Sequence, residues 1–185
     1  MNHISNIRIL GIDPGTNTGI SIMEITESLE IVKIDTFSIN LSNYIIDTLS
    51  NFEKEADRLI ALEESLKEIL EKYNPHLIGM ENAFFNKKFP LSGLKLSSFL
   101  GVIMMTVRKH NKQTKIYKLQ PKYIKSVVST GNAYKDDMLE AVRDNIELGK
   151  HLDIDKETEH SIDAVAISYS VKKLLEKYPY VLNNT

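Results

Sequence analysis

The sequence predicts an α/β fold in which a mixed sheet is flanked by helices. Three strand-like segments open the chain, and helical and strand-like patterns alternate after them. Consecutive strands can pair as an antiparallel meander, whereas strands separated by helices pair in parallel, so both directions are expected in one sheet. With 185 residues, of which 42% are apolar, the chain is interpreted as one domain over residues 1–185 with a core of its own.

The first three strands are separated by turn-forming residues. The first runs from Ile7 to Ile12 and stops at Asp13-Pro14-Gly15, the second runs from Gly19 to Ile25, and the third runs from Leu29 to Ile39. Residues 38–51 are polar, and we expect them to form a surface excursion.

The second half of the chain alternates between helical and strand-like spacing. The clearest helix begins at Phe52 and ends at Asn74-Pro75. The later predicted elements are a strand over His76 to Met80, a helix over Leu94 to Val107, a strand over Ile116 to Leu119, and helices over Pro121 to Val128, Lys135 to Leu148 and His160 to Leu175. No repeat or low-complexity linker interrupts this order.

The composition excludes several kinds of site and location. The chain has no cysteine, which removes disulfides, thiolate nucleophiles and cysteine-ligated zinc. No apolar run reaches the roughly 18 residues that a membrane span requires. The start of the chain lacks the pattern of a signal peptide, so we expect a cytoplasmic protein without membrane association.

The net charge of −2 conceals an uneven distribution of charge along the chain. Residues 84–143 contain twelve Lys and Arg against three acids, about +9, and the remainder is about −11. This division predicts a face that meets phosphates. The alternative is that the lysines cluster in sequence and scatter over the folded surface.

Two apolar strands end in a carboxylate, Asp13 after the first strand and Glu81 after the fourth. Functional sites in open α/β sheets gather at strand ends, so these acids converge if their strands are neighbours. Asp163 and His160 stand three residues apart on the last predicted helix and therefore share a face. The small Ala164 beside them would let that helix approach the sheet closely.

Three carboxylates and an imidazole suit hard divalent cations such as Mg²⁺ or Mn²⁺. Their chemistry suggests phosphoryl transfer at a two-metal site, where ions about 3.5 to 4 Å apart activate water and stabilise the leaving oxygen. Taken singly, the residues have structural alternatives. Asp13 before Pro14-Gly15 can form a turn, and His160 can be a capping or surface histidine.

Three motifs occur in order along most of the chain: Gly11-Ile12-Asp13-Pro14-Gly15, then Glu81-Asn82-Ala83-Phe84-Phe85 with Leu94-Lys95-Leu96 and Gly101, then His160-Ser161-Ile162-Asp163-Ala164. Together they resemble the RuvC family of Holliday-junction resolvases. The resemblance implies an RNase H-like fold, a homodimer, and symmetric cutting of junction DNA with two Mg²⁺ or Mn²⁺ ions. It also implies products with 5′-phosphate and 3′-hydroxyl ends.

The resemblance assigns metal ligands residue by residue. Asp13, Glu81 and Asp163 resemble the family's metal-binding carboxylates. His160 resembles the fourth ligand, which is His in some members and Asp in others.

The resemblance also assigns residues that contact DNA. Phe84 resembles an aromatic residue that stacks at the junction, and Lys125 and Lys135 resemble lysines that face the scissile phosphate and complete the catalytic set. The full DNA-binding set is Phe84, Phe85, Lys87, Lys88, Lys122, Lys125 and Lys135. The structural alternatives are core packing for the phenylalanines and ordinary solvated positions for the lysines.

Two segments depart from the family pattern: Ser38 to Phe52, and Asn86 to Gly93, which is longer by a residue. Both lie where branch shape could be read, so the expected substrates are four-way junctions and possibly forks or flaps. The richness in Ile, Asn and Lys fits a low-GC bacterium or a phage.

The interpretation is a metal-dependent, structure-selective endodeoxyribonuclease, with the helix from Leu94 to Val107 as the candidate dimer interface. Two alternatives remain open. One is a protein that binds junctions without cutting them. The other is a small relative of actin-like ATPases, which also open with an Asp-x-Gly-Thr loop, here Asp13 to Thr16.

Overall fold

The computed structural model describes residues 6–44, 50–82, 90–128 and 135–178, with the backbone alone for residues 90–92 and 135–137. The elements within these ranges are β1 (Ile7–Asp13), β2 (Asn17–Ile25), β3 (Ile31–Asn40), α1 (Asn51–Tyr73), β4 (Leu77–Glu81), α2 (Pro90–His110), β5 (Lys115–Leu119), α3 (Pro121–Val128), α4 (Lys135–Asp144) and α5 (Glu159–Lys177). Short 3₁₀ turns cover Leu41–Tyr44, Gly149–His151 and Ile154–Lys156. None of the helices in the described ranges is long and apolar enough to span a bilayer.

The five strands form one mixed sheet in the order β3-β2-β1-β4-β5. β1, β2 and β3 are joined by antiparallel pairing, as a meander requires. β4 pairs in parallel with β1 on the other side, and β5 pairs in parallel with β4. The predicted α/β fold with strands of both directions is therefore confirmed, with β1 at its centre.

The expected surface excursion over residues 38–51 is wrong in its first half. β3 continues to Asn40, and the backbone N–H of Leu41 then donates to the carbonyl of Thr16 at 2.9 Å. Ile39 and Leu41 are buried because both pack into the core on one face of the sheet. Apolar residues inside a polar stretch thus keep the chain on the sheet.

Several element boundaries also differ from the prediction. The helix predicted over Leu94 to Val107 is α2, Pro90–His110, and the strand predicted from Gly19 begins at Asn17. β3 begins at Ile31 because Leu29 has a φ of 64° and belongs to the turn. α4 ends at Asp144, four residues before Leu148, because the Asn145 side chain accepts the backbone N–H groups of Glu147 and Leu148 and closes a turn.

The core has two parts, one on each face of the sheet. Ile9 packs with Val165 of α5 on one face. Leu10, the next residue, packs with Leu62 of α1 and Ile103 of α2 on the other. This alternation follows from the two-residue period of a strand. α5, with α3 and α4, thus covers one face, and α1 with α2 covers the other.

α5 lies unusually close to the sheet because the strands beneath it carry small residues. Gly11 pairs with Ser21 on one side and Gly79 on the other. A Cβ on Gly11 would lie 2.2 Å from the carbonyl oxygen of Ala164. A Cβ on Gly79 would lie 2.6 Å from Val171. The Ser21 hydroxyl donates to the Ala164 carbonyl at 3.1 Å, so the contact is polar as well as close.

α1 has well-formed ends. The Ser50 side chain and Glu53 form a capping box at its start, which satisfies backbone N–H groups that the first turn leaves open. At its end, Asn74 adopts the left-handed conformation with a φ of 41°, and its N–H donates to the Leu70 carbonyl. The helix end predicted at Asn74-Pro75 is confirmed.

An ion cluster around one buried lysine connects the far end of α5 to the turn that follows α4. Lys172 is only 2% exposed and contacts both Glu147 and Glu176. Burial opposes the ionisation of Glu147, but hydrogen bonds from Lys172 and Lys173 outweigh it and lower its pKa to about 2. The same two lysines lower the pKa of Glu176 against the effect of burial. The cluster therefore links the last turns of α5 to Glu147 in the segment that follows α4.

Candidate active site

Two carboxylates stand at the ends of neighbouring parallel strands. Asp13 ends β1 and Glu81 ends β4, and the pairing of Ile12 with Met80 places both acids at the next position of the ladder. Both lie two residues beyond a glycine that faces α5, so the strand period directs them to the same face. The two carboxylates therefore converge, as expected if their strands are neighbours.

The first turn of α5 is fixed at this edge by hydrogen bonds around its N-terminus. The Thr158 hydroxyl accepts the Ser161 N–H at 3.1 Å, and the Ser161 hydroxyl oxygen accepts the Thr158 N–H at 2.8 Å. Glu157 accepts hydrogen bonds from the hydroxyl of Ser161 at 2.7 Å and from that of Thr36 on β3 at 2.6 Å. This arrangement ties the helix start to the sheet.

A glycine lets this turn reach Asp13. Gly19 pairs with Asp13 in the β1–β2 ladder, and a Cβ at Gly19 would lie 1.9 Å from the His160 carbonyl oxygen. The backbone of α5 therefore occupies the space that any other residue at position 19 would fill.

His160 and Asp13 are in direct contact. The Nδ1 atom of His160 lies 3.0 Å from Oδ2 of Asp13. If Nδ1 carries the hydrogen, the neutral ring leaves Nε2 as an acceptor, which is the arrangement of histidines that ligate metals. The side chains are 34% and 17% exposed, so this pair remains open to solvent on one side.

Glu81, Asp163 and Lys125 line one cavity of about 210 Å³ beside this pair. Ile124 and Met138 form part of its apolar wall. Asp163 also borders a neighbouring cavity of about 410 Å³. α5 thus presents Asp163 to the cavity that holds Glu81 and, one turn earlier, His160 to Asp13.

The chemistry of the donor set fits a hard divalent cation, since it consists of three carboxylates and one imidazole. Within the described ranges, however, no three acidic or histidine side chains are close enough to form a ready metal group. The structure brings the four residues to one edge of the sheet as two pairs, Asp13 with His160 and Glu81 with Asp163. Their role as metal ligands stays a prediction.

The predicted DNA-binding residues are placed only in part. Lys122 and Lys125 lie on α3, and Lys125 reaches the cavity that holds Glu81. The backbone of Lys135 begins α4, while its side chain is outside the described part. Phe84, Phe85, Lys87 and Lys88 also lie outside the described residues.

Sequence reasoning missed the residues that position this site. Thr158 and Ser161 show a recognisable signal, because Ser or Thr before a helix predicts a cap. Glu157 and Gly19 carry no such signal, since their roles depend on contacts between distant segments.

Residues 9–170 match a family model described as crossover junction endodeoxyribonuclease RuvC. The chain belongs to the RuvC family. This membership confirms the resemblance seen in the motifs and decides against the actin-like ATPase alternative.

The RuvC family includes curated relatives that align along most of this chain. RuvC of Prochlorococcus marinus (strain MIT 9312) is 32% identical over 164 residues, covering 88% of this chain and 94% of the relative. RuvC of Brachyspira hyodysenteriae is 32% identical over 161 residues, covering 86% and 89%. Both are named crossover junction endodeoxyribonucleases.

Solved resolvases share the fold. RuvC of T. thermophilus, in complex with a Holliday junction substrate, superposes with a TM-score of 0.71 at 19% identity, covering 93% of this chain and 97% of that one. The yeast mitochondrial Holliday junction resolvase gives a TM-score of 0.63 at 20% identity, covering 97% and 85%. The RNase H-like fold expected from the RuvC resemblance is therefore confirmed.

Proposed function

We propose that the protein is a divalent-metal-dependent endodeoxyribonuclease that resolves Holliday junctions or other branched DNA in a bacterial or phage-infected cytoplasm. The observation that carries the proposal is the position of Asp13 and Glu81 at the ends of adjacent parallel strands, beneath the helix that bears His160 and Asp163. The chain's membership of the RuvC family supports the same activity.

Asp13, Glu81, Asp163 and His160 would hold two Mg²⁺ or Mn²⁺ ions. Such ions supply Lewis-acid stabilisation of phosphate charge and make water a better nucleophile. The hydrogen bond from His160 restrains the Asp13 carboxylate, and the start of α5 restrains His160. Pre-positioned ligands of this kind avoid reorganisation when the substrate binds.

The proposed reaction is hydrolysis of one phosphodiester bond in each of two strands. The water oxygen forms a bond to phosphorus, the bond from phosphorus to the 3′ oxygen breaks, and the water loses a proton while the 3′ oxygen gains one. The products carry 5′-phosphate and 3′-hydroxyl ends. Lys125 lies in the same cavity as Glu81 and Asp163, where its charge would stabilise the phosphate as negative charge develops.

The proposed DNA contacts combine phosphate binding and stacking. Phosphate contacts from lysines give affinity that falls steeply with salt, and stacked aromatic residues hold an opened branch point. The proposed contacts are Phe84, Phe85, Lys87, Lys88, Lys122, Lys125 and Lys135.

We place the homodimer interface on the outer face of α2. Leu94, Ser97, Gly101 and Met105 follow one another at helical spacing, so they form one stripe along the helix. Leu94 is 65% exposed and Met105 is 42% exposed. A Cβ on Gly101 would have no atom within 4 Å, so a second helix can approach closely there. Two active sites in one dimer would account for paired symmetric cuts.

The test is cleavage of end-labelled four-way junctions, forks, flaps and linear duplex by the wild-type protein with Mg²⁺, Mn²⁺ or chelator. The proposal expects metal-dependent paired nicks at the junction, and it expects DNA ligase to seal them because they carry 5′-phosphate and 3′-hydroxyl ends. Equal cutting of forks and flaps would make the protein a general debranching nuclease. Tight junction binding without cutting under either metal would support the non-catalytic alternative.

A further inference from the structure

A second basic surface lies at the end of the sheet opposite the proposed active site. The last turn of α2 contains Arg108, Lys109 and His110, and Lys112 follows in the loop to β5. These residues stand where β4 and β5 begin, whereas the catalytic acids stand where strands end. β4 alone separates the two ends by roughly 13 Å, at about 3.3 Å per residue. Lys109 is paired with Glu63, and the Arg108 guanidinium donates to the Lys112 backbone carbonyl, while the Lys112 side chain is exposed.

A polar cavity of about 150 Å³ lies at this same end. It is lined by Asn74, Pro75, His76, Asn111, Gln113 and Thr114, and none of these carries a carboxylate. Nδ1 of His76 accepts the backbone N–H of Arg8 at 3.0 Å, so the neutral ring carries its hydrogen on Nε2 as a donor. Burial and the nearby charge of Arg8 lower the pKa of His76, which favours that neutral form. The cavity has room for a phosphate group and the amide, hydroxyl and imidazole groups to bind one.

The edge of the sheet connects this cavity to the active site. β5 is an edge strand of the described sheet, and its exposed Lys118 lies on the face that α1 and α2 cover, whereas Lys115 lies on the α5 face. α3 follows directly with Lys122 and Lys125, and Lys125 lines the cavity that holds Glu81. No Asp or Glu occurs anywhere in residues 82–135. Basic residues therefore follow one another from the active site to the opposite end of the sheet.

We propose that Lys112 and Lys118, with the polar cavity beside His76, bind the backbone phosphates of one duplex arm as it leaves the active site. We name these residues the arm track. The inference rests on the proposed function and adds a contact surface outside the catalytic edge. The length of β5 matches about four base pairs, since both a strand and a duplex rise about 3.3 to 3.4 Å per unit.

Lysines at a sheet edge serve two further roles in proteins, and each predicts a different result. Lysines on an edge strand can simply prevent edge-to-edge association of sheets. A basic surface can also bind an acidic protein. Continuity with Lys125 and the active-site cavity favours DNA, because a duplex held at the junction must pass along one side of the molecule.

The test compares the variant Lys112→Ala/Lys118→Ala with Lys67→Ala/Lys156→Ala, which removes the same charge from exposed positions on other elements. Junction affinity is measured by fluorescence anisotropy in chelator over a range of salt, with long-armed junctions and with junctions whose arms are too short to reach past β5. We expect the arm-track variant to lower the salt slope by about 0.9 for each lost phosphate contact, and only with long arms. Lys112→Arg/Lys118→Arg should restore wild-type binding, whereas the control pair should match it throughout.

The inference would be overturned if the arm-track variant kept both the wild-type salt slope and the wild-type preference for long arms. The proposed function would still stand in that case, provided that the wild-type protein cuts junctions. Equal weakening with short and long arms would also overturn it, since it would place these lysines at the branch point. Tighter binding of a labelled polyglutamate peptide than of long arms, lost in the arm-track variant, would assign the surface to an acidic protein instead. Absence of any binding or cutting of branched DNA by the wild type would overturn both proposals together.

Discussion

Gly11 shows how one missing side chain determines the position of a helix. Its α-carbon faces the backbone of α5, and an added Cβ would lie 2.2 Å from the Ala164 carbonyl oxygen and 2.9 Å from the Ser168 backbone nitrogen. Backbone atoms cannot swing aside as the end of a side chain can. The helix that bears His160 and Asp163 would therefore have to move away from the sheet.

Gly11→Ala should destabilise the protein by about 1–3 kcal/mol because it overpacks this contact. Urea unfolding measures the change. Glu64→Ala, at an exposed position of α1, is the control, and it should leave stability within about 0.5 kcal/mol of the wild type. Equal effects of the two substitutions would contradict the close-contact account.

At this scale the sequence predicts the acids better than the residues that support them. Asp13 and Glu81 are recognisable because a carboxylate at the end of an apolar run is unusual. Gly19 and Glu157 are not recognisable, because their partners on α5 and β3 are remote in sequence. Which helix crosses which strand is decided by packing of the whole chain.

Among the elements, the start of α5 connects stability with activity. The Thr158 cap fixes the first turn, and that turn carries His160 to Asp13. α1 has an equivalent capping box at Ser50, but nothing in it contacts the proposed site. Comparing the two caps therefore separates the loss of folding stability that follows from removing any cap from the loss of activity that follows from displacing His160.

Thr158→Ala and Ser50→Ala should each cost about 1 kcal/mol of stability. Only Thr158→Ala should slow junction cleavage, by up to about 100-fold, because small displacements of catalytic groups have large effects on rate. Thermal melts and single-turnover cleavage of a labelled junction measure the two effects. Identical cleavage rates for both variants would show that the cap does not position the site.

The ion cluster at the other end of α5 predicts how stability depends on pH. The folded pKa of Glu147, about 2, lies below its ordinary value of 4.5. The stabilisation is therefore complete above pH 4.5 and is lost as the pH falls from 4.5 toward 2, because the unfolded chain takes up the proton first. Glu147→Gln should lower the free energy of unfolding at pH 7 and flatten its fall between pH 5 and pH 3.

Urea unfolding at several pH values measures this dependence. Glu68→Gln, on the exposed face of α1, is the control and should keep the wild-type profile. A Glu147→Gln profile parallel to that of the wild type would contradict the assigned pKa shift.

Element boundaries were less predictable than element types. Every predicted strand and helix is present, but α4 ends early because the Asn145 side chain competes for backbone N–H groups. β3 runs longer than the polar sequence around Asn40 indicates, because Ile39 and Leu41 find apolar neighbours. Local pattern gives the kind of element, and contacts remote in sequence decide where it stops.

For the whole molecule, the distribution of exposed apolar residues predicts the assembly. Leu94→Glu/Met105→Glu should convert a dimer to a monomer, because it places charge on the proposed α2 interface. Sedimentation or light scattering measures the mass. Ile146→Glu is the control, as Ile146 is 90% exposed on a different element. A monomeric wild type at all concentrations, with and without junction DNA, would contradict the dimer.

The positions of the basic residues in the folded molecule could be predicted only in part from the sequence. The basic segment was predicted to form one phosphate-binding face, and within the described ranges its residues extend from α3 beside the active site, along β5, to the opposite end of the sheet. The parallel strands carry the chain from one end to the other, and sequence order alone does not show this. Family membership was readable because Asp13, Glu81 and Asp163 lie in motifs spread over most of the chain.

The central claim is that Asp13, Glu81 and Asp163 act in catalysis rather than in folding or DNA binding. The most direct measurement is the junction affinity and cleavage rate of Asp13→Asn, Glu81→Gln and Asp163→Asn, beside the exposed control Asp144→Asn. The account predicts that each site variant loses cleavage by at least about 100-fold while junction affinity and melting temperature stay near wild type, and that the control cuts normally. Site variants that still cut at the wild-type rate would contradict the account.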